Sequence, residues 1–426
     1  MVRFLCALVM YLTFATPVNA QPTSRPHVAW AKNANIYEAN IRQFTPEGTI
    51  PAFEKHLPRL KKMGVKILWL MPVQPIGAKN RKGTLGSYYS IRDYTAVNPE
   101  FGTMDDFKRL VRTAHGLGMK VILDWVANHT AWDHPWVTQH PDWYKRNAAG
   151  EVVSYNFDNG REVEYWTDVV GLDYKQDALW PAMIDAMKFW VRETGIDGFR
   201  CDVAMLMPEP FWARARAELD AIKPIFMLAE AAEPGLHTRA FDVTYHWKLQ
   251  ELLVQIAKGK KNGDDLRRFY ENLDPAFSAD AWRMNFTSNH DINSWHGNDV
   301  ENYGAGFEAF AVLAATLPGV PLVYGGQEGV LNKRIAFFEK DAIDWKGYKR
   351  APLYRRLLTM KSRNPALWNG VAGGTVAFEE TGSPDVVAFT RTRGRDKILV
   401  VANLSGTTQI TAFGALDPWA KQIVER

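Results

Sequence analysis

The sequence predicts an α/β chain built on a closed (β/α)8 TIM barrel, with a short excursion after the third strand and a small C-terminal antiparallel β domain. Eight apolar runs rich in β-branched residues recur along the first three-quarters of the chain. Amphipathic stretches separate most of them. Strand–helix alternation implies a parallel sheet, and eight repeats imply a closed one. A length of 426 residues suits one large domain plus a small one.

The runs cover 34–44, 66–73, 120–127, 196–203, 224–230, 240–247, 282–290 and 319–325. Their near-continuous apolar character fits strands buried on both faces. Stretches such as 104–118 and 178–194 read as helices, the second with apolar residues three and four apart. Residues 129–175 are more than one helix needs and are rich in Trp, His, Asp, Asn and Gly, so they read as a short excursion. After about Pro352 the pattern changes to alternating runs, 386–392 and 397–404, divided by Gly-rich turns. The barrel is therefore expected over 28–352 and an abbreviated β domain over 353–426. No internal repeat or low-complexity segment stands out.

Composition is that of a globular protein, 46% hydrophobic and 23% charged. The unusual entry is aromatic content, 12% with 16 tryptophans, which suits a surface that stacks on sugar rings although most rings belong in the core. A net charge of +4 and two short basic runs, 258–261 and 391–397, argue for solvated surface and no nucleic-acid partner. Residues 1–20 read as a signal peptide: Arg3 is the positive start, 4–15 are apolar, and Val18-Asn19-Ala20 precedes the cleavage point at Gln21. That run is too short to span a bilayer, and no other segment is long and apolar enough. Cys6 would leave with the leader, so the mature chain would keep only Cys201 and no internal disulfide. A secreted or periplasmic location is expected.

Four motifs end probable buried strands: DWVANH (124–129), GFRCDVA (198–204), LAEA (228–231) and FTSNHD (286–291). They bring three carboxylates, Asp202, Glu230 and Asp291, to the strand ends where barrel enzymes keep their catalytic groups. A lone carboxylate there is most often a helix cap or a surface ion pair. Three of them, with Arg200 and two Asn-His pairs, form the inventory that builds and discharges a sugar cation. In order, spacing and flanking residues the motifs resemble the α-amylase superfamily, glycoside hydrolase family 13. That resemblance implies Asp202 as nucleophile, Glu230 as general acid and then base, and Asp291 as the group that stabilises the transition state. It also implies that His129 and His290 bind hydroxyls of the sugar being cleaved. Tyr89 would stack on the same ring, with Tyr88 as the competing choice one residue away and Asp93 nearby.

Retaining chemistry needs one charged carboxylate beside one protonated carboxyl, about 5–5.5 Å apart. Arg200, on the same side of its strand as Asp202, is expected to keep the nucleophile ionised, and the apolar residues before Glu230 to raise its pKa. Cys201 should point the other way into the core. Asp124 is expected to anchor the loop after the third strand.

The resemblance further suggests calcium, with Asn128 and Asp173 as ligands, although calcium takes six to eight oxygens and two side chains do not define a site. Met205 and Leu206 stand where many endo-acting relatives carry a Lys-His pair that touches the leaving-group sugars. With the short excursion, this favours short maltooligosaccharides over long starch chains. The expectation is an exported α-glucan hydrolase cleaving α-1,4 bonds with retention. A transglycosylase, or an α-glucosidase- or cyclomaltodextrinase-type enzyme, is the alternative within the superfamily. A non-catalytic glucan-binding protein is a remote third reading, disfavoured because all three carboxylates are present.

Overall fold

Eight parallel strands close on themselves in the computed structural model, which describes residues 25–158, 160 and 162–425. The proposed leader lies outside the described residues. The barrel strands are β1 Ile36–Ala39, β2 Ile67–Leu70, β3 Lys120–Trp125, β4 Gly198–Cys201, β5 Phe226–Ala229, β6 Val243–Tyr245, β7 Trp282–Asn285 and β8 Val320–Tyr324. Around the barrel they follow one another in chain order, with β8 pairing β1 to close the ring. All eight fall within the apolar runs, because strands covered on both faces must be apolar along their whole length.

Alternation divides each strand between two cores. Ile36, Ile67, Trp69, Ile122, Phe226, Leu228, Val243 and Tyr245 fill the inside of the barrel. Tyr37, Leu68, Leu70, Val121, Leu123, Phe199 and Cys201 pack outward against the surrounding helices. Each such Leu or Ile contributes roughly 1.5–3 kcal/mol on leaving water. Gly198 is required by crowding, since a Cβ there would lie 1.9 Å from the Phe226 carbonyl oxygen on β5. The helix Met104–Gly116 begins with a capping box, Thr103 and Asp106 satisfying each other's backbone N–H groups.

At the N-terminal mouth, Asp197 gathers His115, Lys120, Lys223 and the Val121 N–H at 2.6–3.1 Å. Burial opposes its charge, but the His115 and Val121 hydrogen bonds and the Lys223 charge outweigh it and hold the carboxyl well below the usual range. This end is the structural one.

Between β3 and β4 the chain leaves the barrel as a three-stranded antiparallel sheet, His129–Ala131, Ser154–Asp158 and Val163–Gly171, with the last in the centre. The C-terminal expectation needs one adjustment. Residues 353–363 belong to the helix Ala351–Arg363, which packs on Leu57–Met63 and completes the barrel's outer layer. The antiparallel sheet starts only at Thr375–Glu379 and continues through Val386–Arg393, Asp396–Asn403 and Lys421–Glu425, with a separate ribbon of Gln409–Thr411 and Gly414–Leu416. The domain division is therefore better drawn after Arg363 than before residue 353. Among the described residues no helix is long and apolar enough to cross a membrane.

Candidate active site

The C-terminal ends of the strands converge on Arg200. Its position on β4 points inward, while the next residue, Cys201, is a fully buried free thiol in the outer layer, as alternation predicts. Arg200 Nη1 donates to Asp124 Oδ1 and to Asp202 Oδ1, each at 2.9 Å. Nη2 lies 3.0 Å from Glu230 Oε1, an ion pair without the alignment of a hydrogen bond. One fully buried guanidinium thus grips Asp202 and Glu230 together. Nε donates to the Tyr245 hydroxyl at 3.2 Å and completes the clamp.

The backbone after Asp202 is strained. Val203 has φ +37°, a left-handed conformation that β-branched residues avoid. That turn aims the Val203 N–H at Glu230 Oε2, 2.8 Å away, and the Ala204 N–H at the Glu230 carbonyl. The nucleophile candidate and the acid/base candidate are therefore joined by a single peptide.

Burial is the largest influence on the Asp202 carboxyl and pushes it well up, the Glu230 charge adds to this, and Arg200 pulls the other way. Arg200 thus acts in the direction the sequence leads one to expect, opposing the effect of burial. Double displacement requires one carboxyl of such a pair charged and the other protonated. Asp291 is the most open of the three, with 31% of its side chain exposed, yet desolvation in the pocket still raises it to about 6 against the pull of His290.

A chain of hydrogen bonds runs beneath these groups. Glu38, on β1, lies 2.5 Å from His290 Nδ1, and His290 Nε2 lies 2.8 Å from the Tyr89 hydroxyl. That hydroxyl donates to Asp124 Oδ2 at 3.1 Å, as does the Trp69 indole N–H at 3.0 Å. Burial raises Glu38 to about 8, so near neutrality it carries a proton. Each donor then has a direction: Glu38 to His290, His290 to Tyr89, Tyr89 to the carboxylate held by Arg200. Burial lowers His290, which keeps its ring neutral.

Of the two candidate tyrosines, Tyr89 is the one that faces the pocket. Its ring stacks on His290 at 5.4 Å, whereas Tyr88 turns away to lie under the Arg42 guanidinium at 4.1 Å. Asp93 caps its own turn through the Thr95 N–H. His129 is buried and held neutral, its pKa lowered to about 3 by burial. Its Nδ1 meets the Asn128 amide at 3.2 Å, and the ring packs against Tyr155 and Trp166 of the excursion. Asp124 does not anchor its own loop, as the sequence suggested. It holds Arg200, Tyr89 and Trp69.

Asn128 and Asp173, the suggested calcium ligands, are both engaged within the protein. The Asn128 amide is engaged by His129 and Tyr155, and Asp173 Oδ1 accepts the Lys175 N–H. Among the described residues no three His, Cys, Asp or Glu side chains cluster as a metal site. No step is assigned to a metal here.

Sequence reasoning missed Glu38 and the aromatic rim of Trp295, Phe337 and Phe338. Glu38 sits in a plain apolar strand, and only its isolation as a charge among apolar neighbours could have flagged it. Met205, on the turn Ala204–Leu206, is 38% exposed and offers no polar group to a leaving sugar.

Paired carboxylates on a buried arginine at the C-terminal mouth of an α/β barrel define a glycosidase-type enzyme site. The chain belongs to the α-amylase family: residues 31–378 match the model of the α-amylase catalytic domain. It is similar to an α-amylase from Lactobacillus plantarum, with 30% identity, 90% of this chain and 91% of that one covered, and a TM-score of 0.79. A noncanonic maltogenic α-amylase, AmyB from Thermotoga neapolitana, matches at 32% identity over 88% of this chain and 86% of that one, TM-score 0.77. In sequence it resembles α-1,4-glucan:maltose-1-phosphate maltosyltransferase 1 of Streptomyces coelicolor, 26% identical over 88% of this chain. The chain spans 58% of that relative's length.

Proposed function

We propose that this chain is a retaining enzyme of short α-1,4-glucans. Asp202 attacks the anomeric carbon, forming the glycosyl–oxygen bond while Glu230 protonates the departing glycosidic oxygen. Glu230 then takes a proton from the incoming hydroxyl as that oxygen displaces Asp202, and the product keeps the α configuration. Asp291 and His290 would hold the sugar hydroxyls, and Tyr89 its apolar face. The observation that carries this reading is the shared grip of Arg200 on Asp202 and Glu230.

The incoming hydroxyl is water in hydrolysis and a sugar in transfer. Similarity to a maltogenic amylase and to maltosyltransferases supports an oligosaccharide-processing enzyme, with transfer beside hydrolysis, over an endo-acting starch amylase. The apolar leaving-group side at Met205 and Leu206 supports the same preference. Export is proposed from the leader pattern alone.

The test is a time course on maltoheptaose and soluble starch, starting from Gln21, with Asp202→Ala as control. Glucose or maltose released as the α anomer, with products longer than maltoheptaose at high substrate, is the expected pattern. Loss of starch viscosity ahead of any small product would restore the endo-amylase reading. No turnover of any α-glucan would remove the enzyme assignment.

A further inference from the structure

The outer layer of the barrel holds a cavity of about 600 Å³ between the helices Leu57–Met63 and Ala351–Arg363. The helices are neighbours because the first follows β1 and the second follows β8, which pairs with β1. They touch at the end of the first, where a Cβ on Gly64 would lie 3.1 Å from that of Leu358. None of the residues described at the mouth lines this cavity.

The lining has two parts. Met63 and Met360, 3% and 1% exposed, make a recessed apolar floor, extended by Pro352 and the Tyr348 ring. Around it stand five cations, Arg59, Lys62, Arg355, Arg356 and Arg363, and no carboxylate. A solvated helix face usually interleaves its basic residues with acids three or four positions away. The helix Ala351–Arg363 contains no acid at all. Two of the five cations are neutralised from outside the cavity. Arg59 pairs with Glu328 at 2.9 Å and lies over the Tyr348 ring at 4.2 Å, and Arg363 pairs with Glu425 at 2.6 Å. Lys62, Arg355 and Arg356 form no ion pair among the described residues, and Arg356 donates only to the Ile423 carbonyl, at 3.1 Å.

Charge and shape together choose the occupant. A helix that binds a bilayer projects its apolar face. Here the apolar atoms lie at the bottom of a recess with cations standing above them, so an apolar body has to enter the groove. Its volume falls within the range of roughly 300–1,000 Å³ typical of small-molecule sites.

We propose that this groove binds a soluble organic phosphate: a phosphate monoester held by Lys62, Arg355 and Arg356, with its apolar body resting on Met63, Met360 and Tyr348. Guanidinium forks match phosphate oxygens in pairs, and three unpaired cations exceed what a single carboxylate takes up. The site is separate from the barrel mouth and does not rest on the function proposed above.

The test is a calorimetric titration of decyl phosphate, below its micelle concentration, into the chain from Gln21 onward. Inorganic phosphate and sedimented phosphatidylglycerol vesicles serve as parallel arms. One decyl phosphate should bind per chain, about tenfold more tightly than inorganic phosphate. The exposed pair Lys62→Ser with Arg355→Ser should weaken that binding about tenfold. Tyr348→Ala should weaken decyl phosphate and leave inorganic phosphate unchanged. Decyl phosphate should also raise the melting temperature of the unsubstituted chain and not that of the double variant. Absence of binding, equal affinity for the two phosphates, or affinity unchanged in the double variant overturns the site. Capture by vesicles without uptake of free decyl phosphate overturns it in favour of a membrane surface.

Discussion

Replacing Arg200 with Met removes the one cation that three carboxylates share. The side chain is fully buried, and its contacts to Asp124, Asp202 and Glu230 measure 2.9, 2.9 and 3.0 Å. Breaking one buried ion pair costs about 3–5 kcal/mol, because the remaining charge is left desolvated. Three such losses do not add, since the carboxyls can take up protons instead, so the expected loss at pH 7 is about 3–5 kcal/mol in total. The pH dependence follows from the same picture. Burial already raises the folded-state pKa values of Asp124 and Asp202, and without the arginine they move further above their unfolded values of about 4. A carboxyl raised in this way favours the folded state fully below its unfolded pKa and loses that contribution as pH rises through the folded one. The stability gap between the unsubstituted protein and Arg200→Met should therefore widen from pH 5 to pH 8. Urea unfolding at several pH values measures it. A gap that stays constant over that range would refute the electrostatic account, leaving lost packing as the cause.

Three other outcomes are expected. Glu38→Gln should flatten an alkaline fall in kcat near pH 8, where ionised Glu38 would reverse the donor direction through His290 and Tyr89, while kcat at pH 6 stays within about threefold. A wild-type rate that is level from pH 7 to 9 would count against this. Asp197→Asn should destabilise the barrel by about 3 kcal/mol at pH 7, read by urea melts. Because the folded pKa of Asp197 is depressed, that deficit should shrink as pH falls below the ordinary carboxylate range, and a deficit unchanged in acid would mean the role is steric. Chelation with EDTA should leave the melting temperature within about 1 °C, since a bound ion would stabilise by mass action. A fall of several degrees, reversed by calcium, would restore Asn128 and Asp173 as ligands.

The parts of the site legible in the sequence are those fixed by one strand at a time. Arg200, Cys201 and Asp202 alternate in, out and in because β4 is extended, and the motif ends mark where the barrel opens. What stayed hidden depends on partners far apart in the chain. Glu38 and His290 are 252 residues apart and meet only because β8 closes the ring between their strands. Tyr88 and Tyr89 sit in a loop without periodicity, so only the bonds to His290 and Asp124 choose between them. Asp124 was read as a loop anchor because its three partners come from other strands and loops. The C-terminal division lies beyond the change of pattern near residue 352, because helix Ala351–Arg363 follows β8 as any barrel helix would.

The left-handed turn at Val203 carries a consequence for how this scaffold could change. A conformation that costs of order 1–3 kcal/mol is a standing reserve of stability, open to release by a glycine or asparagine at one position. Such a release would relax the peptide that joins Asp202 to Glu230. Sturdiness and the setting of the two carboxylates are thereby in opposition at a single residue, and a search that rewards heat resistance alone would drift toward well-folded, slow enzymes.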